Sequence, residues 1–187
     1  MNNAIRLTIL FAGPWYWGVT AAQPAQQAED APSFVNEAIL NAPVASVWRV
    51  WTSGEGYKLV GVALADVDFR IGGLIRSRYS AAGALGDEET IENRILAYEP
   101  QRMIAIQIEH PPKSFPFREA WKSTWTVVTL SDLGNNRTHI RVASMGYGTD
   151  QESMAMRRFF ESGNAATLKT LQSHFQSSLT PIENREK

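Results

Sequence analysis

From Val62 onward the apolar residues of this chain alternate with period two, and a helical period returns only once, over Gln151–Gln176. A sheet with one apolar face, followed by a single long helix, has few ways to bury both surfaces; laying the helix across the sheet is the simplest. The strand segments are Val62–Arg70, Leu74–Tyr79, Glu88–Leu96, Met103–Glu109, Trp121–Leu130 and Thr138–Tyr147. Gly72-Gly73, the small-residue stretch Ala81–Gly86, Glu99–Arg102 and Asp132–Asn136 separate them as turns or loops, and the proline-rich His110–Arg118 reads as loop. Ahead of this meander, Phe34–Leu40 is a further strand. Asn41-Ala42-Pro43 then opens a helix over Val44–Trp51, with Asn41 placed to cap it and Val44, Val47, Trp48 and Trp51 on one face. Ser53–Gly56 stops that helix and Tyr57–Val60 makes one more short turn. The expected fold is α+β: a curved antiparallel sheet of about seven strands wrapped around the C-terminal helix, with two short helices after the first strand.

The N-terminus reads as an address. Arg6 supplies a positive charge, Leu7–Val19 is uncharged and apolar, and Thr20–Ala22 offers small residues for a leader peptidase. The apolar run is shorter than the roughly 20 residues needed to cross a bilayer. Residues 1–22 are therefore expected to be a secretory signal, cut after Ala21 or Ala22. Residues 23–32 then form a flexible linker, 33–176 the folded domain and 177–187 a flexible tail. A buried N-terminal element and an uncleaved tether are the competing readings, and Gly13-Pro14 argues against the former. The protein is expected in a bacterial periplasm or outside the cell.

Removing residues 1–22 takes Arg6 from the 18 basic residues and leaves 17 against 19 acidic ones. Such a balance predicts no attraction to nucleic acid or to anionic lipid. The chain has no cysteine, which excludes thiolate nucleophiles, Cys-ligated zinc and Cys-attached haem. The three histidines, His110, His139 and His174, share no ligand spacing, so neither a metal nor a cofactor is expected. Ser144 and Ser162 lack the context of an activated nucleophile.

Several short segments, in order, carry a resemblance. They are Asn41-Ala42-Pro43 with Val47-Trp48, Asp68–Gly73, Glu92 with Ile95-Leu96, Glu99-Pro100 with Arg102-Met103, Arg137–Val142 and the long last helix. In these the chain resembles the START/Bet v 1-like helix-grip superfamily, in the branch named after the C-terminal domain of the activator of Hsp90 ATPase. The likeness spans roughly residues 33–176 and implies an open hydrophobic cavity between helix and sheet. It implies less about function, because relatives range from lipid carriers to co-chaperones. Hsp90 is a cytosolic ATPase, so an exported copy would not meet it.

The residues themselves favour apolar binding. Trp51, Tyr57, Phe69, Tyr79, Trp121, Trp125, Met145, Tyr147 and Phe160 are candidate cavity-lining residues, and Arg141 a candidate polar contact. Trp121 and Trp125 are expected on one face of a strand; Met145 and Tyr147 are expected to share a face with His139, Arg141 and Ala143. For any single aromatic the competing reading is plain core packing. The leading expectation is an exported, monomeric or weakly dimeric protein that binds a small hydrophobic molecule, lipid-like or aromatic, without catalysis. An enzyme acting on an apolar substrate would instead draw its acid and base from Tyr147, Glu109, Glu119 or His139, two of which would have to point into one pocket. A protein-interaction domain is the third reading, and it requires a large exposed apolar patch.

Overall fold

The computed structural model describes residues 33–177. The expected leader, linker and all but the first residue of the expected tail lie outside the described residues. Strand β1 (Phe34–Leu40) leads into α1 (Val44–Thr52), the single-turn α2 (Gly54–Tyr57) and a 3₁₀ turn at Lys58–Val60. Six strands follow: β2 (Leu64–Val67), β3 (Leu74–Arg78), β4 (Ile91–Glu99), β5 (Met103–His110), β6 (Trp125–Asp132) and β7 (Thr138–Met145). The chain then enters the long helix α3 (Gln151–Ser177). Strand order is β1-β7-β6-β5-β4-β3-β2, antiparallel throughout, so β2 to β7 form a meander and β1 adds to its far edge. Register shifts in β4, at Glu92/Asn93 and Ile95/Ala97, bend the sheet into a trough. This is the helix-grip architecture.

Helix α3 crosses the trough and buries two separated sets of side chains. Its C-terminal half sets Leu168, Leu171 and Phe175 against Leu40, Val47, Val50, Ile75, Ile95, Ile104 and Ile140. Its N-terminal half sets Met156 against Phe34, Ala120 and Tyr147, with Phe115, Phe117, Trp121 and Phe160 packed around them. Met156, Phe160, Gly163, Asn164, Thr167 and Leu171 fall on one stripe at helical spacing. The middle of that stripe is small or polar, so the two cores do not meet there.

Three local expectations need correction. Asn41 does not cap α1; Pro43 is the residue before the first turn, and its carbonyl accepts from the Ser46 and Val47 amides. The corner at Asn41-Ala42 is instead tied to the sheet, where the Thr138 hydroxyl donates to the Ala42 carbonyl at 2.7 Å. Ser53 does end α1, but its Oγ also accepts from Gly56 N and so starts α2. The strand expected over Val62–Arg70 shortens to four residues, because Asp68–Gly73 folds into turns with Gly72 at φ 77°. Trp121 is not in a strand: Ala120–Ser123 is a 3₁₀ turn, closed by the Trp121 indole donating to the Arg118 carbonyl, and β6 begins only at Trp125.

Arg78, at the end of β3, is only 6% exposed, because the loop that follows folds over it. Its guanidinium donates to the carbonyls of Ala82 and Ala84 and pairs with Asp87. A single buried cation thus shapes the loop of small residues.

Candidate ligand-binding cavity

Between the trough and the middle of α3 lies a cavity of about 500 Å³. Its floor follows the strand alternation: Ser77 on β3, Ile91 and Asn93 on β4, Ile106 and Ile108 on β5, Thr126 and Val128 on β6, Val142 on β7. Phe160, Gly163, Asn164 and Thr167 of α3 form the roof. Trp51, Tyr57 and Val60 close the end nearest α2, and the proline-rich loop with Pro111, Pro112 and Phe115 closes the other side. Tyr79, Trp125 and Phe159, at 73%, 39% and 52% exposure, mark the rim where it opens to solvent. No Asp, Glu, Lys, Arg or His lines the wall among the described residues.

Two groups of polar side chains at or just behind this wall contrast in their hydrogen bonding. Near β6 and β7 they satisfy one another: the Thr126 and Ser144 hydroxyls are 3.1 Å apart, and the Asn164 amide donates to Ser144 Oγ at 3.4 Å. Tyr147 also engages Ser144; burial nonetheless pushes its phenol up to about 12, against the lowering effects of that hydrogen bond and of Arg157. Near β3 and β4, the Tyr57 hydroxyl, Ser77 hydroxyl and Asn93 side-chain amide have no hydrogen-bond partner among the described residues. Burial, and then the proximity of Tyr79, holds the Tyr57 phenol well above its ordinary range. The Trp51 indole N–H, in the same part of the wall, is also buried without a partner.

Six of the ten candidate binding residues meet at this cavity: Trp51, Tyr57, Tyr79, Trp125, Tyr147 and Phe160. Four do not line it. Phe69 packs between Trp48 and Tyr98, with ring centroids at 5.6 and 4.6 Å. Trp121 packs into the second core from its 3₁₀ turn. Arg141 faces outward, its Nε 3.3 Å from Glu37. Met145 pairs with Trp125 across the β6–β7 ladder and shares the outward parity of Arg141. Tyr147 does not share that parity as expected. Gly146 takes φ 85° and breaks the alternation, which turns Tyr147 into the interior.

Of the four acid–base candidates only Tyr147 reaches the cavity. Glu109 is gripped on the other face of the sheet by Arg94, Nε and Nη2 donating at 2.8 and 2.5 Å, which holds its carboxyl below the usual range. Glu119 pairs with Lys122 at 2.6 Å, and His139 sits 3.6 Å from Glu37. The pair of polar groups that catalysis would require does not form in one pocket. Among the described residues no cluster of His, Cys, Asp and Glu can hold a metal ion, and no helix is long and apolar enough to cross a membrane. A second hollow, of about 710 Å³, follows the polar β4–β5 turn around Glu99–Met103 and is more open.

Sequence reasoning missed Ser77, Asn93, Thr126, Ser144, Gly163 and Asn164. Their signal was present: each puts a small or polar side chain where the alternation of its strand, or the stripe of α3, calls for an apolar one. Asn93 stands between Ile91 and Ile95, and Ser144 follows Ile140 and Val142.

A family model described as activator of Hsp90 ATPase homolog 1-like protein matches residues 41–176. Among solved structures, protein MLL2253 from Mesorhizobium loti is similar at 16% identity and a TM-score of 0.59, covering 80% of this chain and 99% of that one. CalU16 from Micromonospora echinospora is similar at 20% identity and a TM-score of 0.54, over 81% and 78%. The Aha1 dimer from Colwellia psychrerythraea is similar at 13% identity and a TM-score of 0.52, over 75% and 96%. At these identities the likeness shows a common fold. No curated protein matches the chain.

Proposed function

The chain belongs to the family of activator of Hsp90 ATPase homolog 1-like proteins, and from that membership we propose that it binds a small hydrophobic molecule beneath α3 without transforming it. The observation that carries this reading is the cavity of about 500 Å³, of the size that takes a small organic ligand, with no charged side chain among the described residues of its wall. Aromatic residues supply much of that wall, and they give large contact area at little cost in side-chain entropy. Chemistry on the ligand has little support. Of the four acid–base candidates only Tyr147 is present, and a phenol shifted to about 12 keeps its proton at neutral pH.

We further propose that the protein acts outside the cytoplasm. The support is the charged start, apolar run and small-residue exit of residues 1–22. That address separates this chain from a role on a cytosolic ATPase, although the family takes its name from one. An interaction module would also need a shallow pocket or none, which favours the ligand reading over it.

Native mass spectrometry on protein recovered from the periplasm of a bacterial host tests both parts. The expected spectrum shows a chain beginning at Ala22 or Gln23 and carrying an added small-molecule mass that dissociates on activation. A full-length cytoplasmic chain would refute the export reading. A clean apo mass, with no change in tryptophan fluorescence across a panel of lipids, sterols and aromatic metabolites, would refute the binding reading.

A further inference from the structure

If the cavity binds a small molecule, as proposed above, the polar groups of its wall select the chemical class of that molecule. The wall is asymmetric in its hydrogen bonding. Along the sheet, Asn93 of β4 is paired with Ile108 of β5, and Ile106 of β5 is paired with Thr126 of β6, which is paired with Ser144 of β7. An apolar strip therefore separates two polar ends. Strands lie about 4.8 Å apart, so β4 and β6 are separated by roughly 10 Å. At the β6–β7 end the polar groups are occupied with one another. At the β3–β4 end they are not: Tyr57, Ser77 and Asn93 are buried as residues, but their side-chain polar atoms keep access to the cavity and hydrogen-bond to no described residue.

Polar groups that a bound molecule cuts off from water must find a partner in it or carry a desolvation penalty. Three unpaired groups on one wall of one cavity mark a place where a bound molecule supplies the partner. Hydroxyls and a carboxamide can both donate and accept, so they match an oxygen that does the same or accepts alone. Among the described residues no side chain on the wall can neutralise a charge, and an unpaired ion in such a site is far more costly than a neutral group. We propose that the cavity is built for a neutral amphiphile. Its apolar body, about 10 Å long, lies over Ile106, Ile108 and Val128. Its hydroxyl or carbonyl head sits against Tyr57, Ser77 and Asn93.

The test uses three probes with one body and different heads, 1-decanol, decanoate and decylammonium, titrated at about pH 8 by calorimetry and tryptophan fluorescence. Decanol is expected to bind at least about tenfold more tightly than either ion, since only the ions bring an uncompensated charge into the site. Tyr57→Phe and Asn93→Leu are each expected to weaken decanol binding by about threefold to tenfold, the worth of one net hydrogen bond. Tyr57→Phe keeps the ring and its packing, so it remains informative even if Asn93→Leu disturbs the fold. An ion that binds as tightly as decanol would overturn the inference and leave the binding function standing. A decanol preference unmoved by either substitution would also overturn it, because the head would then lie elsewhere. Failure of all three probes to bind would refute the cavity reading, and this inference with it.

Discussion

At Gly146 the backbone takes φ 85°, and a Cβ there would run into the Ser123 carbonyl and lie 2.8 Å from Trp125 Cζ3. Only glycine meets both demands, and the turn it permits is what moves Tyr147 from the outer parity of β7 to the interior. Gly146→Ala is expected to cost about 1–3 kcal/mol from backbone strain alone, read as a lower urea midpoint with an unchanged slope. Tyr147 itself makes a second prediction. Its phenol titrates near the ordinary 10.0 when unfolded and near 12 when folded. The stabilisation from its protonated form is therefore complete below pH 10 and is lost as the pH rises from 10 towards 12, since the unfolded chain then releases a proton that the folded chain keeps. Tyr147→Phe should lose stability less steeply over that alkaline range than the parent, as urea titrations across it would show. The inward turn of Tyr147 was not legible from alternation, because the strand pattern carries on through Gly146 as though nothing had happened. Gly146 was the warning sign.

Helix α3 shows what an element can carry beyond its own stability. A glycine inside a helix is unfavourable by roughly 1 kcal/mol relative to alanine, and Gly163 sits near the middle of the longest helix. A Cβ built there meets nothing within 4 Å. Gly163→Ala is therefore expected to raise stability by about 0.5–1 kcal/mol. Gly163→Leu should project into the cavity, leave the fold intact and weaken ligand binding by at least tenfold, measured by the same fluorescence titration. If the leucine variant bound as well as the parent, the space under Gly163 would not be the binding space. The ends of most elements were readable because polarity and turn chemistry agree there, as at β1, whose bounds match expectation at both ends. Trp121–Ser123 was misread because a Trp-x-x-x-Trp spacing satisfies strand alternation, and a 3₁₀ turn held by one indole hydrogen bond leaves no mark on that pattern. Which aromatics line the expected cavity was unreadable for a different reason. An aromatic side chain gives the same sequence signal whether it touches a neighbour or an empty volume, so Phe69 and Trp51 could not be told apart.

For the molecule as a whole, a cavity placed between two cores means that a ligand fills the space beneath the middle of α3 that separates them. Binding to the folded state alone should stabilise the protein by about 2.7 kcal/mol at a free ligand concentration of 100 times Kd. For a domain of this size that corresponds to a rise in Tm of roughly 5–10 °C, measurable by differential scanning fluorimetry. The sheet adds a constraint of its own. Strand β1 joins it only through β7, from Phe34 opposite Ser144 to Leu40 opposite Thr138. The partners are thus roughly a hundred residues apart, a separation that makes their meeting slow and late. Strand β1 is the first described strand to be synthesised, and it has nothing to pair with until β7 has been delivered. A chain that stops before Thr138 therefore leaves β1 with no described strand to pair with.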